Sequence, residues 1–245
     1  MHPWLKEHTI LEVQTGSKAY GTDIETSDTD LKGVCIPPVE YFFGLKNFKS
    51  YQSIDTHRPN TKEDVDLTIY SLKKFAESAL KGNPSILEML FVREEDVVSS
   101  TNEGKMLLLN RNLFLSNRIK NSMGGYAKQQ TLKMMNGQGS RHDLMKAHGY
   151  DTKFAMHALR LYQVGIDCFE TGTMSTYSKN ADWLKEVRLG KYTKEEVIGF
   201  LEEHEDRFQL AYAQSVLPKN PDEAAVERLM VGLTSEFLGK KGAFI

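Results

Sequence analysis

Apolar residues along this chain follow two rhythms, a period of two in the first third and a helical period thereafter. Ile10-Leu11-Glu12-Val13-Gln14 is a short apolar run of strand type, and a second run covers 28–36, closed by Pro37 and Pro38. Between prolines and Tyr51 lies an irregular, aromatic-rich connection, and 52–63 has the composition of an exposed loop. Asp64-Val65-Asp66-Leu67-Thr68-Ile69-Tyr70 alternates again, which predicts a third strand with Asp64, Asp66 and Thr68 on one face. The rhythm then changes. Apolar positions 72, 75, 76, 79 and 80 predict a helix stopped by Gly82, and Asn83-Pro84 opens another that runs to Phe91. Asp151 is placed to cap a long helix with Phe154, Ala155, Ala158, Leu159, Leu161 and Tyr162 on its apolar side. Thr193 and Glu196 form a capping box before Val197, Ile198, Phe200 and Leu201, and Asn220-Pro221 opens a last helix that Gly239 can end. This pattern predicts an α/β (α+β) domain over residues 1–100 with a mixed sheet, and a mostly helical domain over 101–245.

Composition narrows the class. The chain has 245 residues, 40% hydrophobic and 26% charged, as expected of a globular protein with a sizeable core. Cys35 and Cys168 both sit in apolar runs and supply neither a disulfide framework nor a zinc site. The first residues lack a signal-peptide core and no run approaches membrane-spanning length, so a cytoplasmic protein with no membrane partner is expected. The net charge of −2 hides an uneven distribution: residues 111–160 carry +7, against −5 before them and −4 after. A basic island in an acidic chain concentrates anions, and phosphates of a nucleotide or of RNA are the candidates it raises.

The stretch Gly16–Asp30 carries the candidate chemistry. Gly16-Ser17 at a strand end offers backbone N–H groups and a hydroxyl suited to phosphate oxygens, with a tight turn and a loop to follow. Asp28 and Asp30, at i and i+2 on the next strand, point to one face and fit a shared divalent cation. Downstream, Lys153, His157 and Arg160 fall on one helical stripe that suits a triphosphate or an RNA end. Glu88, inside an apolar run, reads as a paired structural carboxylate. Basic residues on the glycine-interrupted stretch 118–148, with Gly124-Gly125, Gly137, Gly139 and Arg141, read as a mobile element over the substrate or as a loop.

Gly16-Ser17, ten residues, then Asp28-Thr29-Asp30 resembles the nucleotidyltransferase superfamily typified by DNA polymerase beta. SDTDLKGV (27–34), PPVEYFFGL (37–45), YSLKKF (70–75), KGNP (81–84), ILEMLF (86–91) and GYDTKFAMHALRLYQ (149–163) sharpen this. In that order they are similar to a bacterial and phage branch linked to RNA repair, over about residues 9–170. The resemblance implies that Asp28 and Asp30 hold two Mg2+ (or Mn2+) ions and that Asp66, with Asp64 as the alternative, joins the metal on the acceptor side. It implies further that Gly16 and Ser17 hold the triphosphate of an NTP, ATP foremost, and that Lys153, His157 and Arg160 contact phosphates of nucleotide or acceptor. The implied reaction moves a nucleoside monophosphate to an acceptor hydroxyl, an RNA end by family association. The same motif occurs in antitoxin-like protein AMP-transferases and in small-molecule nucleotidyltransferases. A non-catalytic sensor is the third reading, disfavoured because three carboxylates without metal repel phosphates.

Overall fold

The computed structural model describes residues 2–53, 65–137 and 142–242. Most of the expected loop over 52–63, and with it Asp64, Gly139 and Arg141, lies outside the described residues. A first turn, α1 (Leu5–His8), leads into β1 (Thr9–Thr15), the one-turn helix α2 (Gly16–Tyr20) and β2 (Thr29–Cys35). The aromatic-rich connection contains α3 (Glu40–Phe43) and β3 (Ser50–Gln52), followed by β4 (Val65–Ser71), α4 (Leu72–Ala79) and α5 (Pro84–Leu87). After β5 (Val97–Ser100) the described residues are helical: α6 (Asn102–Leu109), α7 (Ile119–Asn136), α8 (His142–His148), α9 (Thr152–Thr171), α10 (Ala181–Arg188), α11 (Lys194–Ala213) and α12 (Glu223–Lys240).

The sheet is mixed, as the sequence predicts, in the order β3-β4-β2-β1-β5. β2 and β4 are parallel; the other neighbours are antiparallel. Register fixes the site. Thr15 pairs with Asp30 across β1 and β2, and Asp30 pairs with Asp66 across β2 and β4, so the three form one row of the sheet. Two and four residues along β2 from Asp30 stand Lys32 and Val34, and Val34 is buried in the main apolar core. Alternation therefore puts the acidic row on the helix-covered face, beyond the end of the core. That core is continuous from Ile10 in β1 to Leu238 in α12. A smaller cluster of Leu5, Cys35 and Ile69, with Trp4, Phe48 and Tyr51 against it, covers the opposite face.

The helices confirm most of the periodicity and correct some of it. α4 buries Leu72, Phe75, Ala76 and Ala79, and the Ser71 hydroxyl caps it by accepting from the Lys74 N–H. The helix expected over 83–91 gives way after Leu87 to a 3-10 turn over Glu88–Leu90, and Asn83 stands at its N-cap without a side-chain bond. α9 starts where Asp151 accepts from the N–H groups of Lys153 and Phe154, and α11 carries the expected capping box. α12 starts at Glu223, capped by Asp222, and runs one residue past Gly239. The stretch read as a mobile element is largely the 18-residue helix α7. A Cβ on its Gly124 would stand 3.1 Å from the Phe208 ring, so this glycine serves packing rather than bending. Among the described residues no helix is long and apolar enough to cross a membrane.

Candidate active site

β1 is followed by a position that only glycine tolerates. Gly16 has φ +67°, and a Cβ there would lie 1.9 Å from Asp30 Oδ2. The Gly16-Ser17 pair then opens α2, a single helical turn ended by left-handed Gly21, where the sequence predicts a tight turn before a loop. The following residues are tied down. Ser27 Oγ accepts from the Ile24 N–H at 3.0 Å, and Arg188 at the end of α10 donates to the Thr22 carbonyl at 2.5 Å and to Ser27 Oγ at 3.2 Å. Arg188, buried and 161 residues away in sequence from Ser27, thus holds the segment that delivers Asp28.

Asp28, Asp30 and Asp66 converge, each half-buried, with one carboxylate oxygen of each within 4.8 Å of the others. Burial raises the Asp30 carboxyl above its ordinary range, and the charges of Asp28 and Asp66 add to this against the pull of Lys32 and Lys153. Hard oxygen donors at this spacing are the donor set that Mg2+ or Mn2+ takes, and the residues present fit such an ion. Lys32, next on the same face of β2, donates to the Ser85 carbonyl at 3.1 Å and to the Ser85 hydroxyl. Burial lowers its pKa, with Glu88 and Asp30 opposing.

Asp28 and Asp30 border a cavity of about 280 Å³. Gly16, Ser17, Asp28 and Asp30 line it from the sheet side, and Lys153 and His157 line it from α9. Tyr20, Gln130, Phe154 and Met156 also line it, and sequence reasoning did not single them out. Phe154 stands next to Lys153 and was read only as an apolar-side residue. Gln130 and Tyr20 carry no local signal at all.

Arg160 is corrected. It shares the stripe of Lys153 and His157, but its side chain is 1% exposed and its Nη1 lies 2.6 Å from Glu88 Oε1. Burial alone would depress its pKa; Glu88 more than offsets this and holds the guanidinium charged. The helix carries the stripe from solvent at Lys153 inward, so the last of the three groups is a core cation and not a cleft one. Glu88 is the paired structural carboxylate expected of it. The basic island disperses as well: Arg118 pairs with Glu223 at 2.7 Å, Lys128 with Glu205 at 3.1 Å, and Lys120 lies over the Tyr212 ring. Of its described cations, Lys153 is the one that lines the cleft.

A row of carboxylates on a mixed sheet, with a glycine turn beside it and a helix across the cleft, has the form of a polymerase beta-type site. Residues 4–231 match the RNA repair pathway DNA polymerase beta family (RlaP), and the chain belongs to that family. It is 33% identical over 129 residues to an uncharacterized 38.9 kDa protein of the nrdC-mobD intergenic region of enterobacteria phage T4. That match covers 51% of this chain and 38% of the phage protein, so it spans well under half of that relative. A solved nucleotidyltransferase-like protein from Exiguobacterium sibiricum 255-15 is similar at 16% identity over 94% of this chain and 72% of that one, with a TM-score of 0.30.

Proposed function

We propose that the chain is a metal-dependent nucleotidyltransferase that moves a nucleoside monophosphate from an NTP, ATP foremost, to the hydroxyl of an RNA end and releases pyrophosphate. The convergence of Asp28, Asp30 and Asp66 beside the Gly16-Ser17 turn carries this reading. In the transfer, the acceptor oxygen bonds to the α-phosphorus, the bond from that phosphorus to the pyrophosphate oxygen breaks, and the hydroxyl proton leaves toward a carboxylate. Asp28 and Asp30, from one strand, would hold Mg2+ or Mn2+ together with Asp66, which serves the acceptor side. The bound metal supplies charge stabilisation to the attacking and leaving oxygens.

The chain's own groups do the rest. The Ser17 hydroxyl and the backbone N–H groups of the turn orient the triphosphate, and Gly16 lets that turn approach the carboxylates. Lys153 and His157 face it from α9 and offset phosphate charge. With Lys128 and Arg118 engaged by Glu205 and Glu223, the RNA acceptor rests on the family and not on a basic surface.

The test is incubation of the protein and of its Asp28→Ala/Asp30→Ala variant with each labelled NTP, Mg2+ and a pool of RNA, with RNA, protein and small products resolved separately. Label on RNA with pyrophosphate release, both absent in the variant, is the expected outcome. Label on the protein itself would replace this reading with AMP transfer to protein. NTP binding with no label anywhere would leave a sensor.

A further inference from the structure

Behind the cleft lies a charge pair that the proposed chemistry does not use. Glu88 is 2% exposed and its carboxylate is divided: Oε1 accepts from Arg160 and Oε2 accepts from the Tyr20 phenol at 2.8 Å. The Arg160 guanidinium also lies 3.6 Å from the Tyr20 ring centroid, so one arginine holds both the carboxylate and the ring. Burial, with the adjacent Glu88 charge, pushes the Tyr20 phenol far above its ordinary range, which keeps it a hydrogen-bond donor. Arg160 Nε is buried without a partner, so the pair is not fully satisfied.

An ion pair this deep gives little net stability, because desolvation cancels most of the Coulomb gain and apolar residues of similar volume often do as well. Its connectivity is more telling. Tyr20 ends the short helix that Gly16 and Ser17 begin, so a phenol fixed at its tip and a ring fixed on its face set the rotation of that helix. Arg160 stands one turn beyond His157 and two beyond Lys153 on α9, so the same guanidinium sets the rotation of the opposite wall. The Glu88 carbonyl accepts from Thr176 Oγ1 at 2.7 Å, and the Ser178 N–H donates to the Tyr20 carbonyl at 3.1 Å, which closes the assembly from a third segment. Both walls of the cleft are thus referred to one carboxylate.

We propose that Tyr20, Glu88 and Arg160 are positioning residues. Acting through Tyr20, the buried pair holds the Ser17 wall and the Lys153/His157 wall in the relation that a nucleotide triphosphate requires. The proposal rests on the nucleotidyl-transfer reading above.

Two variants test it. Glu88→Met/Arg160→Met removes both charges of the pair at similar volume, and Tyr20→Phe removes only the phenol tether. Each is melted without nucleotide, then assayed for binding of the four Mg–NTPs and for kcat and KM. The expected result is a double variant that melts near wild type but loses about a hundredfold in kcat, the scale at which a misplacement of ~1 Å acts. Its NTP affinity changes less than its kcat, and Tyr20→Phe moves the same way by a smaller factor. A purely structural pair would lower the melting temperature and leave kcat and KM of the folded fraction unchanged. A folded double variant with wild-type kcat and KM overturns the proposal; if that variant does not fold, wild-type kinetics in Tyr20→Phe overturn it. Wild-type protein that binds no Mg–NTP overturns the functional reading and this one together, whereas wild-type turnover with unaffected variants removes this one alone.

Discussion

At Asp30, burial and two neighbouring carboxylates act in the same direction, and their effect has a sign that experiment can read. Its carboxyl is raised in the folded protein, so the folded state holds that proton more tightly than the unfolded state does. In metal-free protein the Asp30 contribution therefore favours folding below the ordinary aspartate range and is lost as pH rises through the raised value. Asp30→Asn is expected to raise the metal-free melting temperature at neutral pH by about 2–4 °C, the effect of ~1 kcal/mol in a chain of this size. The same variant should lose the stabilisation that Mn2+ gives wild type, and wild-type Mn2+ affinity, followed by calorimetry, should fall as pH drops through the raised Asp30 range. Asp28, Asp30 and Gly16 were legible because their spacing is local and their chemistry is written in residue type. Arg160 was misread for a physical reason: helical periodicity says which residues share a face, not how far along that face another element covers it. Tyr20 and Gln130 reach the cleft through tertiary packing, to which no neighbouring residue points.

The helices α7, α9 and α11 meet at one ring. A Cβ on Gly165 would lie 2.3 Å from Phe208 Cε2, and Gly124 approaches the same ring from α7, so two glycines make the socket for a fully buried phenylalanine. Gly165→Ala is expected to cost about 1–3 kcal/mol through overpacking. Gly199→Ala, where nothing lies within 4 Å, is expected to stabilise by about 0.4–1 kcal/mol through the unfolded chain. Urea denaturation of the two variants separates packing from propensity. The longer periodic elements are legible in the sequence: β1, β2, β4, α4, α9 and α11 fall close to where pattern and capping residues put them. β3 and β5, three and four residues long, were not, since so short a strand shows no alternation and is defined by its partner. Gly124 of α7 misled for the related reason that a helical glycine looks like a break until the ring that fills its place is known.

Across the whole molecule, the site is assembled from pieces that are remote in sequence. Arg188 reaches back from α10 to hold Thr22 and Ser27, and through them the approach to Asp28. Arg188→Met should weaken Mn2+ binding by about tenfold or more, as loss of a group that supports metal ligands does, with Asp28 as the ligand affected. Asp28→Asn in the Arg188→Met background should then add little, and calorimetric titration of the two single variants and the double checks it. The parallel pairing of β2 with β4 carries a further consequence. Asp66 faces Asp30 only in the observed register, and a slip of one residue would retain a backbone ladder yet turn Asp66 to the far side of the sheet. Mn2+ bound per chain would therefore count the correctly threaded chains: a preparation with a misaligned β4 would look folded by circular dichroism and bind sub-stoichiometric Mn2+. An ion held by the three carboxylates would, in turn, act as a proofreader of that alignment, drawing the population toward the one threading in which all three oxygens meet.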